Sequence, residues 1–277
     1  MRSHPSLAIF PIISGLATLM VSISFMLPIF FSLRSSGVFE SSHFDKGNVS
    51  VAYYVVSFLY YLVSYFVVVF FNVGLIHCAS EVLAGRPTSV GDGLRAATRR
   101  LGPILGWSLI GATVGVILKS ISERVGIVGQ IVVALLGGAW NLITFFVVPA
   151  LALEGVGPVD AIKTSFDTIK KTWGETIIGN VGVSWAIGLL SLLPIPIFIA
   201  VCFTGSAWII FSVLGLAILY WIALAVIGSC LSGIYTTAVF HYARTGHVPS
   251  MFSAQQIQSA FLPQQPNKVT NFIRRGR

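Results

Sequence analysis

The sequence predicts an all-α fold, a polytopic transmembrane bundle of about six spans with amphipathic helices at the cytoplasmic interface. Charged residues make up 9% of the 277 residues, against about 25% in ordinary globular proteins. Hydrophobic residues reach 55%, and residues 176–243 contain no Asp, Glu, Lys or Arg. A membrane span needs roughly 20 apolar residues, so this stretch alone holds at least two spans.

Six apolar stretches are predicted to cross the membrane, at about 7–33, 51–84, 104–120, 126–153, 176–203 and 207–243. The first is too long for the apolar core of a signal peptide. The second and sixth exceed the length that spans about 30 Å of hydrocarbon, so they must tilt, break or project. Pro194 and Pro196 predict a kink or break in the fifth. Together the spans form a transmembrane domain, 1–248, followed by a basic cytoplasmic tail, 249–277.

The distribution of cations predicts the orientation. Of the 17 lysines and arginines, only Arg34, Lys46, Lys119 and Arg124 fall on one side of the predicted membrane. The positive-inside rule therefore places both termini in the cytoplasm. We expect a multi-pass protein of a prokaryotic cytoplasmic membrane.

Two connecting segments on the basic side are predicted to be amphipathic surface helices, at about 89–103 and 158–173. Ser89 and Asp92 form a capping box before the first, and Pro158 suits the first turn of the second. Apolar residues recur at the spacing of one helical face: Val90, Leu94, Ala97, Leu101 and Ile104 in the first, and Val159, Ile162, Phe166, Ile169 and Trp173 in the second. A shorter amphipathic helix is predicted after Ser253, in the tail. The pattern suggests a threefold repeat of a hairpin followed by such a helix.

Six cations on these two helices are candidate contacts for anionic lipid headgroups: Arg95, Arg99, Arg100, Lys163, Lys170 and Lys171. Each Lys or Arg near an anionic surface contributes about 1 kcal/mol. The alternative is architectural, with the helices bracing the spans.

Several segments resemble an uncharacterised family of prokaryotic six-helix membrane proteins. They are Gly91-Asp-Gly-Leu-Arg-Ala-Ala, Ile104-Leu-Gly-Trp107, Trp140-Asn-Leu-Ile-Thr-Phe-Phe-Val-Val-Pro149, Glu154-Gly-Val-Gly-Pro158, Gly233-Ile-Tyr and Tyr242-Ala-Arg-Thr-Gly-His-Val-Pro249. More loosely, the segment from Pro149 to Trp173 is similar to the membrane domain attached to some bacterial glycerophosphodiester phosphodiesterases. The resemblance implies the fold and the membrane location but no activity.

No catalytic motif and no nucleotide-binding loop is present in the sequence. The five histidines are scattered, without a second ligand at metal spacing, and the three cysteines match no metal motif. We therefore expect no enzyme, no cofactor, no metal and no nucleic-acid partner.

Polar residues inside the spans are costly in lipid and mark candidate sites: Asn72, His77, Glu81, Asn141 and Asn180. They either line a cavity for a solute or bond across helices. Small residues at four-residue spacing, such as Gly111 with Gly115 and Ala134 with Gly138, either pack within one subunit or join copies.

The sequence therefore favours a non-catalytic membrane protein that self-associates and organises lipid or a protein partner. The alternative is a channel or transporter for a small solute or lipid, which requires a continuous polar path through Asn72, Asn141 and Asn180.

Overall fold

The computed structural model describes the backbone of residues 6–35, 51–203 and 206–245. Within these ranges the side chains of 6, 29–35, 51–54 and 172–186 are not described. The predicted basic tail and its short helix lie outside these residues. Over the described part of the chain all regular structure is helical, which confirms the predicted fold class.

The helices follow the predicted stretches closely. Their bounds are α1 Ser6–Ser35, α2 Val51–Leu83, α3 Val90–Thr98, α4 Leu101–Ser122, α5 Ile127–Ile143, α6 Val147–Pro149, a π-helical segment Ala150–Glu154, α7 Pro158–Ser191, α8 Pro194–Cys202 and α9 Ala207–Thr245.

Five helical stretches are long and apolar enough to cross a membrane: Leu7–Pro28, Val55–Leu83, Leu101–Ser122, Ile127–Glu154 and Ala207–Thr245. They correspond to predicted spans one, two, three, four and six. The overlong second and sixth spans are uninterrupted helices of 33 and 39 residues. Neither helix is broken, although both exceed the length that a span needs.

The surface helix predicted before the fifth span and the first part of that span form one continuous helix. The helix α7 runs for 34 residues without interruption, so the segment 158–173 forms its first turns and is no separate surface helix. The reason is local, because no proline follows Pro158 until Pro194. There the helix ends and α8 begins, as the two prolines predicted.

The break between α7 and α8 leaves backbone carbonyls near its end, and α9 supplies donors for them. The Tyr220 hydroxyl donates to the Leu190 carbonyl at 2.7 Å, and Trp221 Nε1 donates to the Ser191 carbonyl at 3.0 Å. Ile187, earlier on α7, lies against Gly228, later on α9, so the two helices are antiparallel neighbours.

One end of the bundle collects most of the described charge, and we term it the basic end. It is defined by the exposed or half-buried cations Arg86, Arg95, Arg99, Arg100, Lys163 and Arg244. Arg244 near the end of α9 pairs with Glu154, and Ser80 of α2 bonds His241 of α9 at 2.8 Å. Leu7 and Phe10 of α1 pack in the same region, against Leu75 and Cys78, so α1 begins where α9 ends.

Burial is concentrated in the half of the bundle nearest this end. Its core includes the fully buried side chains Val73, Ile104, Trp107 and Phe146. In contrast, neither α5 nor α8 contains a buried residue. Large apolar side chains such as Phe203 are almost fully exposed there, which hydrocarbon solvates and water does not.

The short helix α3 begins at the predicted capping box, in which Ser89 and Asp92 bond reciprocally. These hydrogen bonds from Ser89, together with the Arg95 charge, hold the pKa of the Asp92 carboxyl below its usual range. Its apolar face is covered by protein, since Ala97 is fully buried and Val90 and Leu94 pack on the α1–α2 cluster. The helix therefore braces α1 and α2, and its apolar face is not free to enter lipid.

Two glycines allow this close approach of α3 to α2. A Cβ atom on Gly93 would lie 2.4 Å from Phe10 Cζ, 2.7 Å from Cys78 Sγ and 2.8 Å from the Gly74 carbonyl oxygen. Backbone cannot yield as a flexible side chain can, so any larger residue at 93 forces the two helices apart.

We predict that Gly93→Leu lifts α3 from α2 and exposes Cys78, which is buried beneath it. Overpacking costs about 1–3 kcal/mol, and about 1.4 kcal/mol changes an equilibrium constant tenfold. With Cys202 and Cys230 replaced by serine, the alkylation rate of Cys78 should therefore rise about tenfold. The matched control is Gly91→Leu, because a Cβ there meets only Ser89 Oγ, at 3.6 Å. Equal rates in the two variants would contradict this account.

Candidate functional site

The fourth span is broken inside the bundle, which the sequence analysis did not predict. The helix α5 ends at Ile143, and α6 begins at Val147 and passes into the π-helical segment that ends at Glu154. Pro149 contributes to the irregularity because it has no amide hydrogen to donate. The chain turns sharply afterwards at Gly155, whose φ is +69°.

Ser165 of α7 satisfies the backbone at this break. Its hydroxyl donates to the Ile143 carbonyl at 2.5 Å and accepts from the Phe146 amide at 2.9 Å. Ser165 is fully buried. An unpaired buried backbone group costs free energy, so this one side chain allows the irregular segment to exist inside the protein.

A cavity of about 260 Å³ lies beside the break, between α2, the α5–α6 connection and α9. Its polar lining comes from one amide and three hydroxyl side chains: Asn72, Ser229, Ser232 and Thr236. The other described residues of the wall are Ile76, Phe145, Val148, Pro149 and Gly233. The three hydroxyls recur at i, i+3 and i+7, on one face of α9.

The four polar side chains make no hydrogen bond to another described residue. A polar group that leaves water without a partner costs free energy, and in a membrane interior the cost is not relieved by solvent. Polar cavities of this size hold ordered water when two to four partners are available. The geometry therefore fits a hydrated cavity or one that binds a polar ligand.

The structure separates the predicted intramembrane residues. Asn72 lines the cavity, whereas Asn141 is exposed on α5. Glu81 is engaged at the basic end by Arg86, whose Nη2 lies 2.9 Å from its Oε1, and His77 is half-buried on α2 outside the cavity wall. The side chain of Asn180 lies outside the described residues.

Sequence reasoning missed Ser165, Ser232 and Thr236. Ser229 lies four residues before Gly233, a spacing of small residues that is typical of helix packing, and Gly233 does approach the Leu75 side chain closely. A search for hydroxyl residues at i, i+3 and i+7 on a charge-free span would have found the stripe on α9. No local signal marks Ser165, because its partners become neighbours only when α7 packs on the break.

Five of the six predicted headgroup cations are exposed: Arg95, Arg99, Lys163, Lys170 and Lys171. Arg100 is half-buried and donates to the Gly155 carbonyl at 3.2 Å. Its guanidinium lies over Gly155, where a Cβ atom would collide with it. Arg100 therefore stabilises the end of the π-helical segment.

The buried face of the first turns of α7 differs from the predicted apolar stripe. Ala161 and Ser165 are fully buried, whereas Val159 and Phe166 are exposed. Close packing on the broken span requires small residues at 161 and 165, so Val159 and Phe166 face outward, whereas Ile169 of the predicted stripe is buried. Lys170 Nζ lies 4.2 Å from the centroid of the exposed Phe166 ring, and Lys163 pairs with Asp160 at 3.3 Å.

Comparison with known proteins gives one match. A family model described as a family of unknown function, DUF6159, matches residues 51–250. No curated protein and no solved structure matches the chain. The similarity to the membrane domain of glycerophosphodiester phosphodiesterases receives no support from these comparisons.

We predict that Ser165→Ala destabilises the fold by about 1–3 kcal/mol, since it leaves a buried carbonyl and a buried amide unpaired. Unfolding in mixed micelles of increasing dodecyl sulfate content would measure the loss. The control is Ser108→Ala, which removes an equally buried hydroxyl that bonds only the Ile104 carbonyl of its own helix, at 2.8 Å. That carbonyl lies within the regular helix α4, so a much smaller loss is expected. Similar losses in both variants would refute the role of Ser165.

Proposed function

The chain belongs to DUF6159, a family of unknown function, and we propose that it is a non-catalytic multi-pass membrane protein that organises lipid around its basic end. The observation that carries this proposal is the outer face of the first turns of α7. There Val159 and Phe166 are exposed beside the exposed cations Lys163 and Lys170.

This face has the composition of an interfacial helix. Apolar side chains of such a helix enter the boundary between headgroups and acyl chains, while its cations meet anionic headgroups. The lysines can serve both roles, since a lysine stem lies along apolar surface while its ammonium stays in the polar region. The contact of Lys170 with the Phe166 ring is of this kind.

We propose that the basic end faces the cytoplasm, in a prokaryotic cytoplasmic membrane. The support is the charge distribution along the chain together with the positive-inside rule. The packing of Leu7 near this end and the pairing of Arg244 with Glu154 there agree with two cytoplasmic termini.

The alternative of a channel or transporter requires a continuous polar path through three asparagines. Asn72 lines the cavity, but Asn141 is exposed on α5 and is absent from the cavity wall. Among the described residues, the geometry therefore favours a binding cavity at one place in the bundle over a path through it.

We propose further that the protein self-associates through α5. This helix has no buried residue, and Ala134 is exposed on it. A Cβ on Gly138 would meet nothing within 4 Å. Small residues at this spacing let a second helix approach closely in a membrane. In contrast, Gly111 of α4 is already occupied by the Tyr65 ring.

We predict that replacing Lys163, Lys170 and Lys171 together by glutamine weakens the preference of the reconstituted protein for phosphatidylglycerol over phosphatidylcholine. A contribution of about 1 kcal/mol per cation corresponds to about fivefold, so a loss of at least fivefold is expected. The preference is measured as the fraction of spin-labelled lipid whose motion is slowed by contact with the protein.

The control for this experiment removes charge from the other end of the bundle. Lys119 lies in the last turn of α4 and Arg124 just follows it, and their replacement by glutamine should leave the preference unchanged. An unchanged preference in the triple lysine variant, or an equal loss in the control, would count against the proposal.

We predict that Gly138→Leu lowers the oligomeric fraction in mild detergent, because a leucine side chain prevents close approach of a second helix. Light scattering after size-exclusion chromatography would measure it. Gly215→Leu on α9 is the control, since a Cβ there also meets nothing within 4 Å. A wild-type protein that is monomeric at every concentration would exclude self-association.

A further inference from the structure

We infer that the cavity beside the broken fourth span binds an uncharged, hydroxyl-bearing ligand, a polyol that is either free or the headgroup of a neutral lipid. The inference stands on the juxtaposition of Asn72 with the hydroxyl stripe of Ser229, Ser232 and Thr236 across one cavity. It is independent of the proposed lipid contacts at the basic end.

The absence of charge in the described lining selects the ligand class. None of the nine residues that line the cavity is ionisable. A charged ligand there would lose its hydration without gaining a counter-charge, which is far more costly than burying a neutral polar group. An anionic or cationic ligand is therefore disfavoured.

The hydrogen-bonding groups of the lining match hydroxyl groups. Each serine or threonine hydroxyl donates once and accepts through its lone pairs, and the Asn72 amide carries two donors and one acceptor oxygen. A ligand hydroxyl is likewise both donor and acceptor, so it satisfies either kind of neighbour. Four such side chains without a partner among the described residues can bond two or three ligand hydroxyls.

The remaining wall suits the carbon skeleton of such a ligand. Ile76, Phe145, Val148 and Pro149 present apolar surface opposite and around the polar groups, as is usual in small-molecule sites. The volume of about 260 Å³ corresponds to roughly nine water molecules at about 30 Å³ each. A polyol of three or four carbons, or the glycerol end of a neutral lipid, fits within this volume together with water.

Cross-helix packing does not account for these residues. If they served only to hold α2 against α9, they would bond one another, and they do not. The helices are already joined elsewhere, since Ser80 bonds His241 on the basic side of the cavity and Gly233 in its wall packs against Leu75.

The test uses the full chain in nanodiscs, with Ser232→Cys as a reporter and the three native cysteines replaced by serine. The alkylation rate of the reporter is measured with erythritol, dioleoylglycerol or dioleoylphosphatidate, an anionic lipid without a headgroup glycerol. We expect at least tenfold protection by a neutral probe. Protection by erythritol alone assigns a free polyol, and protection by dioleoylglycerol assigns a lipid headgroup. Ser229→Cys is a second reporter, in case the change at Ser232 itself prevents binding.

Asn72→Leu should abolish the protection, whereas Asn141→Leu, which changes an exposed asparagine outside the cavity, should retain it. Asn72→Leu removes an amide that has no partner among the described residues, so it should keep or raise the thermal stability, and loss of binding cannot then be ascribed to unfolding. The variant in which Lys163, Lys170 and Lys171 are glutamine should also retain protection. A failure of this inference can therefore be distinguished from a failure of the proposed lipid contacts. No protection of either reporter by either neutral probe, or equal protection by the anionic lipid, would overturn the inference.

Discussion

The architecture depends on one constraint, which is that backbone groups inside hydrocarbon must find partners within the protein. The chain interrupts two of its spans and meets the constraint each time with side chains from a neighbouring helix. At the fourth span one buried hydroxyl, that of Ser165, serves both a carbonyl and an amide. At the fifth, Tyr220 and Trp221 of α9 donate to the last carbonyls of α7. The breaks are thus paired with specific donors and acceptors.

The arrangement of α7 follows from the first of these breaks. To bring Ser165 to the irregular backbone, α7 must pack closely, and its buried positions there are small, as at Ala161. Phe166 and Val159 therefore lie on the outer surface, beside the lysines. The same break leaves space on the side that faces α9, where hydroxyl groups line the cavity. Both candidate functional surfaces therefore originate in one local irregularity.

The two halves of the bundle differ in a way that suits these roles. The half near the basic end is tied together by Glu81 with Arg86, Glu154 with Arg244 and Ser80 with His241, and by the docking of α3 over the Gly74–Gly93 contact. The other half exposes long apolar faces. A braced end that presents cations and a loosely packed end that faces lipid are compatible with a protein whose partner is the membrane itself.

The sequence by itself determined the solvent and the elements of this protein. Its uncharged stretches predicted a helical membrane protein, the bounds of most spans, the cap of α3 at Ser89 and the break at Pro194, because each depends on hydropathy or on local backbone chemistry. Only the tertiary structure decided which polar residues share a site. It brought Asn72 to the hydroxyl stripe of α9, left Asn141 exposed, and matched Ser165 to a break some twenty residues earlier in the chain, because long-range packing of helices, which periodicity does not encode, sets these distances.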